Sequence, residues 1–135
     1  AAARHRLFCN VADAPALCSF LAPAVVRRGA VTIAISTGGR SPALAVHLKR
    51  MLAAIIGPEY GALAELLGRL RPLVQKRIPD PRQRADVFRR LIEAPLVDLL
   101  RAGEWGAAER RARALLDAWV GEESSCENTS GGEVR

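Results

Sequence analysis

The sequence predicts a mixed chain, with a short α/β segment first and a mainly α-helical bundle after it. Three observations predict this. Residues 31–35, Val-Thr-Ile-Ala-Ile, form a β-prone run of strand length between turn residues. Directly after it, Gly38-Gly39 and then Ser41-Pro42 read as a tight loop and a helix start. From Ala62 to Trp119 the apolar residues recur at helical spacing.

Residues 7–11 are a short apolar run with Phe8, Cys9 and Val11, and read as a buried strand. Asp13-Ala14-Pro15 reads as the start of a helix, with Asp13 as its N-cap and the proline in its first turn. Pro23 keeps that helix short. Residues 20–26 and 31–36 are two β-prone runs, and Arg27-Arg28-Gly29-Ala30 between them reads as a hairpin turn. A helix capped by Ser41 runs to about Ile56 and stops at Gly57-Pro58. Its face of Leu44, Leu48, Met51, Leu52 and Ile55 is too apolar to meet water, which predicts an interface with a second subunit. Beyond it, Leu63, Leu66, Leu67, Leu70, Leu73 and Val74 keep the helical period, and Pro72 inside that pattern predicts a kink or break. Further helices are expected from about Pro81 to Glu93, over 96–100, and around Ala108, Ala112, Leu115, Leu116 and Trp119. After Gly121 the composition turns to Glu, Ser, Gly, Asn and Thr, which reads as a disordered tail.

Composition narrows the function classes. Aromatics are 4% of the 135 residues, so the core must be aliphatic. No apolar run approaches the roughly 18 residues of a membrane span. Cys9, Cys18 and Cys126 form no C-x-x-C pair and read as reduced thiols of a cytoplasmic protein. His5 and His47 have no partner at metal-ligand spacing, so no protein-held metal is expected. The chain begins at Ala1 with no long apolar region behind it, so the start reads as a break in a longer protein rather than a signal peptide. The net charge of +6 is uneven, with 19 Lys and Arg against 10 Asp and Glu over residues 1–120, and four Glu against one Arg over 121–135. A basic body suits an anionic partner, either nucleic acid or a polycarboxylate metabolite.

Two features could carry chemistry. The loop Ser36-Thr37-Gly38-Gly39-Arg40-Ser41 joins a strand to a helix N-terminus, where backbone N–H groups and the helix dipole favour an anion. It has no Gly-Lys-Ser/Thr of a Walker loop and lacks the third glycine of a dinucleotide fingerprint, so a plain strand-to-helix turn explains it as well. Asp13 follows a presumed strand end, where open α/β sheets place ligand groups, although it also serves as an ordinary helix cap. Arg27, Arg28 and Arg40 lie near both, either as solvated turn residues or as a rim that meets carboxylates. No Ser/His/Asp arrangement has support.

Several stretches together resemble one family. They are Phe8-Cys9-Asn10-Val11-Ala12-Asp13-Ala14-Pro15, the hairpin from Phe20 to Gly29, the run from Thr32 through Gly38-Gly39-Arg40-Ser41-Pro42 to Ala45, Gly61-Ala62-Leu63-Ala64-Glu65, and Asp98-Leu99-Leu100-Arg101-Ala102-Gly103. In this order they are similar to the precorrin-2 dehydrogenase and sirohydrochlorin ferrochelatase family of sirohaem synthesis.

The resemblance implies the following. Members oxidise precorrin-2 to sirohydrochlorin with NAD, and some insert ferrous iron, Fe2+. They are homodimers built from a Rossmann-like domain, a dimerisation region and a helical domain. Residues 1–18 would then be the C-terminal remnant of the NAD-binding domain, 19–58 the dimerisation region, 59–120 the helical domain and 121–135 a disordered tail. Asp13 takes the family's acid/base position, while Ser36, Thr37, Gly38, Gly39, Arg40 and Ser41 lie against the substrate. The upstream glycine loop that holds the NAD pyrophosphate is not in this chain, and Pro72 and Val87-Phe88 depart from the pattern. The substrate is an octacarboxylate tetrapyrrole, which suits a basic cleft, and no membrane or nucleic acid is involved. Two other readings compete: a non-catalytic dimerisation or tetrapyrrole-binding fragment, and a small basic nucleic-acid-binding helical protein. The last would need base-reading polar residues or an aromatic platform, and the helices show aliphatic stripes instead.

Overall fold

The structure, a computed structural model, describes residues 5–11 and 14–127. The chain falls into two compact units, Ala1–Gly57 and Pro58–Arg135. No single helix among the described residues is long and apolar enough to cross a membrane.

The first unit is a β-hairpin packed on one helix. Strand β1 spans Ala24–Arg28 and strand β2 spans Val31–Ile35, paired antiparallel from Ala24 opposite Ile35 to Arg28 opposite Val31. The expected first strand at 20–26 is thus shifted toward the turn, and Arg27 and Arg28 belong to the ladder. Pro23 has no N–H to donate, so pairing starts after it. The turn shrinks to Gly29-Ala30, with Gly29 at φ 56°, the positive value a tight hairpin needs at its first central residue. Positions 24, 26, 28, 31, 33 and 35 share one face and are all buried or half-buried, with Val26 at 3% exposure. That face meets helix α1, Pro42–Ile55.

Helix α1 starts and stops where its sequence says. Ser41 accepts a hydrogen bond from Leu44 N–H at 3.2 Å, Pro42 fills the first position, and Ile56 N–H donates to Leu52 O at 2.8 Å before Gly57-Pro58. Its C-terminal carbonyls are covered by Arg28, whose Nε donates to Ile56 O at 2.8 Å and whose Nη2 donates to Ala53 O at 2.9 Å.

The expected strand at 7–11 does not form. The two-stranded sheet contains only β1 and β2, and Leu7 and Phe8 stand 63% and 87% exposed rather than buried. A strand exists by pairing in a ladder, and residues 7–11 form no ladder among the described residues. The segment is instead tied to residues 18–20. Ser19 N–H donates to Cys9 O at 2.8 Å, Cys9 N–H donates to Ser19 Oγ at 2.6 Å, and Asn10 Nδ2 donates to Phe20 O at 3.3 Å. The short helix expected after Asp13 is a single 3₁₀ turn, Pro15–Leu17. The sheet among the described residues is the β1–β2 pair alone. The observed class is mainly helical with one small antiparallel sheet.

The second unit is a bundle of α2 (Pro58–Arg77), α3 (Pro81–Glu93), α4 (Leu96–Arg101) and α5 (Trp105–Glu127). Leu66, Leu70 and Val74 recur every fourth residue along α2 and bury against Val87, Leu91, Leu96, Leu100 and Leu116. Ala108 and Ala112 are fully buried, and their small side chains let α5 approach closely. Each large aliphatic contributes about 1.5–3 kcal/mol by burial. The break expected at Pro72 is absent, and α2 runs through it. Pro72 and Gly68, whose carbonyl loses its helical partner, are both exposed, so water can take the vacant bond.

The connections follow local chemistry. Asp80 Oδ1 accepts from Arg82 N–H at 2.9 Å and starts α3 ahead of Pro81. Gly103 at φ 79° ends α4, with Glu104 N–H donating to Leu99 O and Gly103 N–H to Leu100 O, the paired bonds of a Schellman cap. The tail expected from Gly121 is in part helix, because α5 reaches Glu127. A single glycine costs a helix about 1 kcal/mol and does not stop it. Residues 128–135 lie outside the described residues.

Candidate functional site

The turn from β2 into α1 holds the candidate site. Gly38 and Gly39 take φ values of 60° and 78°, a left-handed pair that side-chain-bearing residues resist. The hydroxyls around them hold the loop together. Thr37 Oγ1 accepts from Ser41 N–H at 3.1 Å and donates to Ser41 O at 3.0 Å. Ser36 Oγ accepts from Gly38 N–H at 3.2 Å, and Arg40 N–H donates to Thr37 O at 3.1 Å. Ser41 Oγ caps α1. Thus Ser36, Thr37 and Ser41 are occupied with local geometry.

What the loop offers outward is backbone at Gly39 and the guanidinium of Arg40. Gly39 lines a cleft of about 230 Å³ together with Asn10, Leu21, Ser36, Thr37 and Pro42. The cleft therefore joins two of the stretches singled out by sequence, the segment at 10–11 and the glycine loop. Arg40 is exposed and folds back over the loop, so a Cβ built on Gly38 would lie 3.4 Å from its Nη1. Among the described residues Arg40 has no ion-pair partner. Asp13 lies outside the described residues, but Asn10 and Val11, just before it, line the cleft.

None of Arg27, Arg28 and Arg40 lines this cleft. Arg28 is taken up by the carbonyls at the end of α1, and Arg27 is exposed on the face of the hairpin turned away from α1. A further signal was readable in the sequence. Residues 14–57 contain no Asp or Glu at all, so Asp13 is the single acidic side chain of the first unit beside seven Lys and Arg.

The helical unit arranges its charges differently. Glu59, 8% exposed, accepts from Arg101 Nη2 at 3.0 Å and Nε at 3.3 Å, joining the start of α2 to the end of α4. The hydrogen bond from Arg101 to Glu59, with their mutual attraction, holds this guanidinium above its ordinary pKa. Arg113 donates to Glu109 Oε1 at 2.8 and 3.2 Å and holds that carboxyl below its ordinary range. Arg77 of α2 pairs with Asp117 of α5. A groove of about 580 Å³ between α2 and α3 has Leu67, Phe88 and Ile92 along it, with Arg71 and Arg84. Arg84 donates to Ile78 O and Pro79 O, and no group in that groove is a nucleophile or a carboxylate. No group of three His, Cys, Asp or Glu side chains among the described residues could hold a metal ion.

Comparison with known proteins places these features. The family described as "Sirohaem biosynthesis protein central" matches residues 28–55, and that described as "Sirohaem synthase dimerisation region" matches residues 59–116. The second match falls on the helical unit. The siroheme synthase of Methylococcus capsulatus is 42% identical over 118 residues, 87% of this chain and 24% of that protein. The siroheme synthase of Nitrosospira multiformis is 37% identical over 134 residues, 99% of this chain and 27% of that protein. The chain thus spans about a quarter of the length of these relatives. A solved structure of SirC, a precorrin-2 dehydrogenase, shares the fold with a TM-score of 0.56 at 21% identity, over 71% of this chain and 47% of that one. With its central and dimerisation regions matched in order, and with relatives near two-fifths identity across most of its length, the chain belongs to the precorrin-2 dehydrogenase and sirohaem synthase family.

Proposed function

We propose that the protein to which these residues belong is a precorrin-2 dehydrogenase of sirohaem synthesis, forming sirohydrochlorin by an NAD-dependent oxidation. The observation that carries the reading is the cleft shared by Asn10, Val11 and the glycine loop, in a unit whose single carboxylate is Asp13. The oxidation removes a hydride and a proton from the macrocycle. Asp13 accepts the proton. The loop from Ser36 to Ser41 holds a peripheral carboxylate, with Gly39 and Arg40 facing the ligand while Ser36, Thr37 and Ser41 keep the loop in shape. Iron insertion, with Fe2+ as substrate, would release pyrrole protons to the same carboxylate. The protein acts as a homodimer, consistent with a family region named for dimerisation and with an apolar α1 surface.

NAD supplies the hydride acceptor, but the described residues do not fit its pyrophosphate. The Gly38-Gly39 loop lacks the third glycine, and three of its N–H groups are bonded within the loop. This chain's own contribution is therefore proton acceptance and anion binding. The same observation favours a second reading, a tetrapyrrole-binding and dimerising piece without turnover of its own. Adding precorrin-2 and NAD to the complete protein and to residues 1–135 separates them. The complete protein should give the sirohydrochlorin absorption spectrum with matching NADH. Absence of both from the complete, folded protein would refute the dehydrogenase reading.

A further inference from the structure

We infer that the groove between α2 and α3 is a binding site for a single-chain amphipathic carboxylate, a free fatty acid in chemical class. Its head meets Arg71 and Arg84, and its chain lies along Leu67, Phe88 and Ile92. The site lies wholly within the helical unit and does not rest on the function proposed above.

The groove is graded along its length. Helices α2 and α3 are joined by residues 78–80 alone, so they run antiparallel as neighbours. Arg71, Gln75 and Arg84 lie toward that connection and make one end of the groove polar. Leu67, Phe88 and Ile92 lie away from it and make the rest apolar. From Ala64 to Gln75 along α2 the groove runs about 16 Å, at 1.5 Å of helix per residue. Its volume of about 580 Å³ is that of a small-molecule site. One polar end and one apolar run call for one head group and one tail.

The floor is open. Gly68 lines the groove, and a Cβ built on it would meet nothing within 4 Å. Leu67 and Phe88 are half-buried and Ile92 is 55% exposed, so apolar surface remains for a chain to cover.

The polar end carries charge that the protein does not neutralise. Elsewhere in this unit charges meet a partner, as Glu59 meets Arg101 and Glu109 meets Arg113. Arg71 is exposed and enters no ion pair among the described residues. Arg84 Nη1 donates to Pro79 O at 2.8 Å and to Ile78 O at 3.1 Å, which fixes the guanidinium at the groove and leaves its charge without a carboxylate. No Asp or Glu lines the groove. Two guanidinium groups at one end of an apolar run complement one carboxylate on one chain. A molecule with charges all round it would lay carboxylates on Leu67 and Phe88, and their desolvation opposes that.

NMR titration of the 135-residue chain with decanoate, and with decanol as the same chain without the charge, tests this. Decanoate should shift the backbone amides of Gly68, Ala85 and Ile92 to saturation. It should bind about three- to tenfold more tightly than decanol, the range for an exposed charge-assisted contact. Arg71→Gln should remove most of that preference and leave decanol binding as it is. Gly68→Leu fills the floor and should abolish binding of both. It also replaces a glycine inside a helix, so its melting temperature should hold or rise, and lost binding then does not come from unfolding. Decanoate binding that survives Gly68→Leu, or a preference over decanol that survives Arg71→Gln, overturns the inference. So does a wild type whose groove amides ignore decanoate. Groove amides that shift with protein concentration alone would assign the groove to a second copy of the chain and overturn it too.

Discussion

The two units use the same aliphatic composition in opposite ways. In the helical unit Leu66, Leu70, Leu91, Leu96 and Leu116 are almost wholly inaccessible, and its charges meet one another, as Glu59 with Arg101 and Glu109 with Arg113. In the hairpin unit Val26 and Ala45 are the buried hydrophobics, while Leu44, Val46, Met51 and Ile55 of α1 stand exposed. Its sequence holds one Asp beside seven Lys and Arg, and no ion pair joins its described residues. The difference separates a part that satisfies itself from a part whose apolar and basic surfaces need something outside it. The first packs its apolar side chains and pairs its charges, and the second leaves both kinds of surface open.

The sharpest way to break this division is Asp13→Asn in the complete protein, as a test of the proposed proton acceptor. Asparagine caps a helix about as well as aspartate, so the fold should survive while proton acceptance is lost. Sirohydrochlorin formation should fall by about 10²–10⁴-fold, the usual worth of general-base catalysis. A variant with wild-type melting and wild-type turnover would show that Asp13 is only a cap, and the hairpin unit would lose its chemistry.

The next largest effect belongs to the helical unit. Leu66 is fully buried at the centre of the α2 stripe, and Leu66→Ala should cost about 2–5 kcal/mol of unfolding free energy in denaturant melts. The equivalent truncation in α1, Leu44→Ala, should cost well under 1 kcal/mol in the isolated chain, because Leu44 is already half-exposed. Equal losses at the two sites would erase the contrast between the units.

How much of this was legible in the sequence also divides along the same line. The helical unit could be read almost throughout, because helices are local: Asp80-Pro81, Gly103 and the spacing of Leu66, Leu70 and Val74 are all written within a few residues. Pro72 does not break α2, because the cost of a proline depends on whether the vacated carbonyl meets water, which is a tertiary fact. In the hairpin unit the Ser41-Pro42 start and the strand at 31–35 were clear, yet residues 7–11 were read as a strand and are not one. Strand propensity says what a segment can pair with, not whether a partner is there. The glycine loop was visible as a motif, but the occupation of Thr37 and Arg28 by backbone groups was not. Those bonds span four residues in one case and twenty-eight in the other.

A third experiment sharpens the comparison at α1. Leu44, Leu48, Met51 and Ile55 are spaced by four, three and four residues, the seam of two packed helices. If this is where a second copy docks, the wild type should sediment as a dimer. Leu44→Glu with Ile55→Glu should then give monomers with unchanged helical circular dichroism. A monodisperse wild-type monomer at high concentration would leave the exposed stripe without its partner.

The smallest effect comes from a charge that the helical unit keeps for itself. The hydrogen bond from Arg113 is the largest influence on Glu109, and with the attraction of Arg113 and Arg69 it outweighs partial burial, so the folded pKa lies below the ordinary 4.5. A carboxylate with a depressed folded pKa adds stability that is complete above its unfolded pKa and is lost as pH falls through the folded value. Glu109→Gln should therefore melt slightly below the wild type at pH 7, and the gap should close on acidification below about pH 4.5. Both partners reach solvent, at 53% and 30% exposure for Arg113 and Glu109, so the gap is small and salt should shrink it as well. A gap that stays constant across the acid range would mean that Glu109 acts through packing rather than charge. In that case the paired charges of the helical unit would no longer separate it from the hairpin unit, whose described residues form no ion pair.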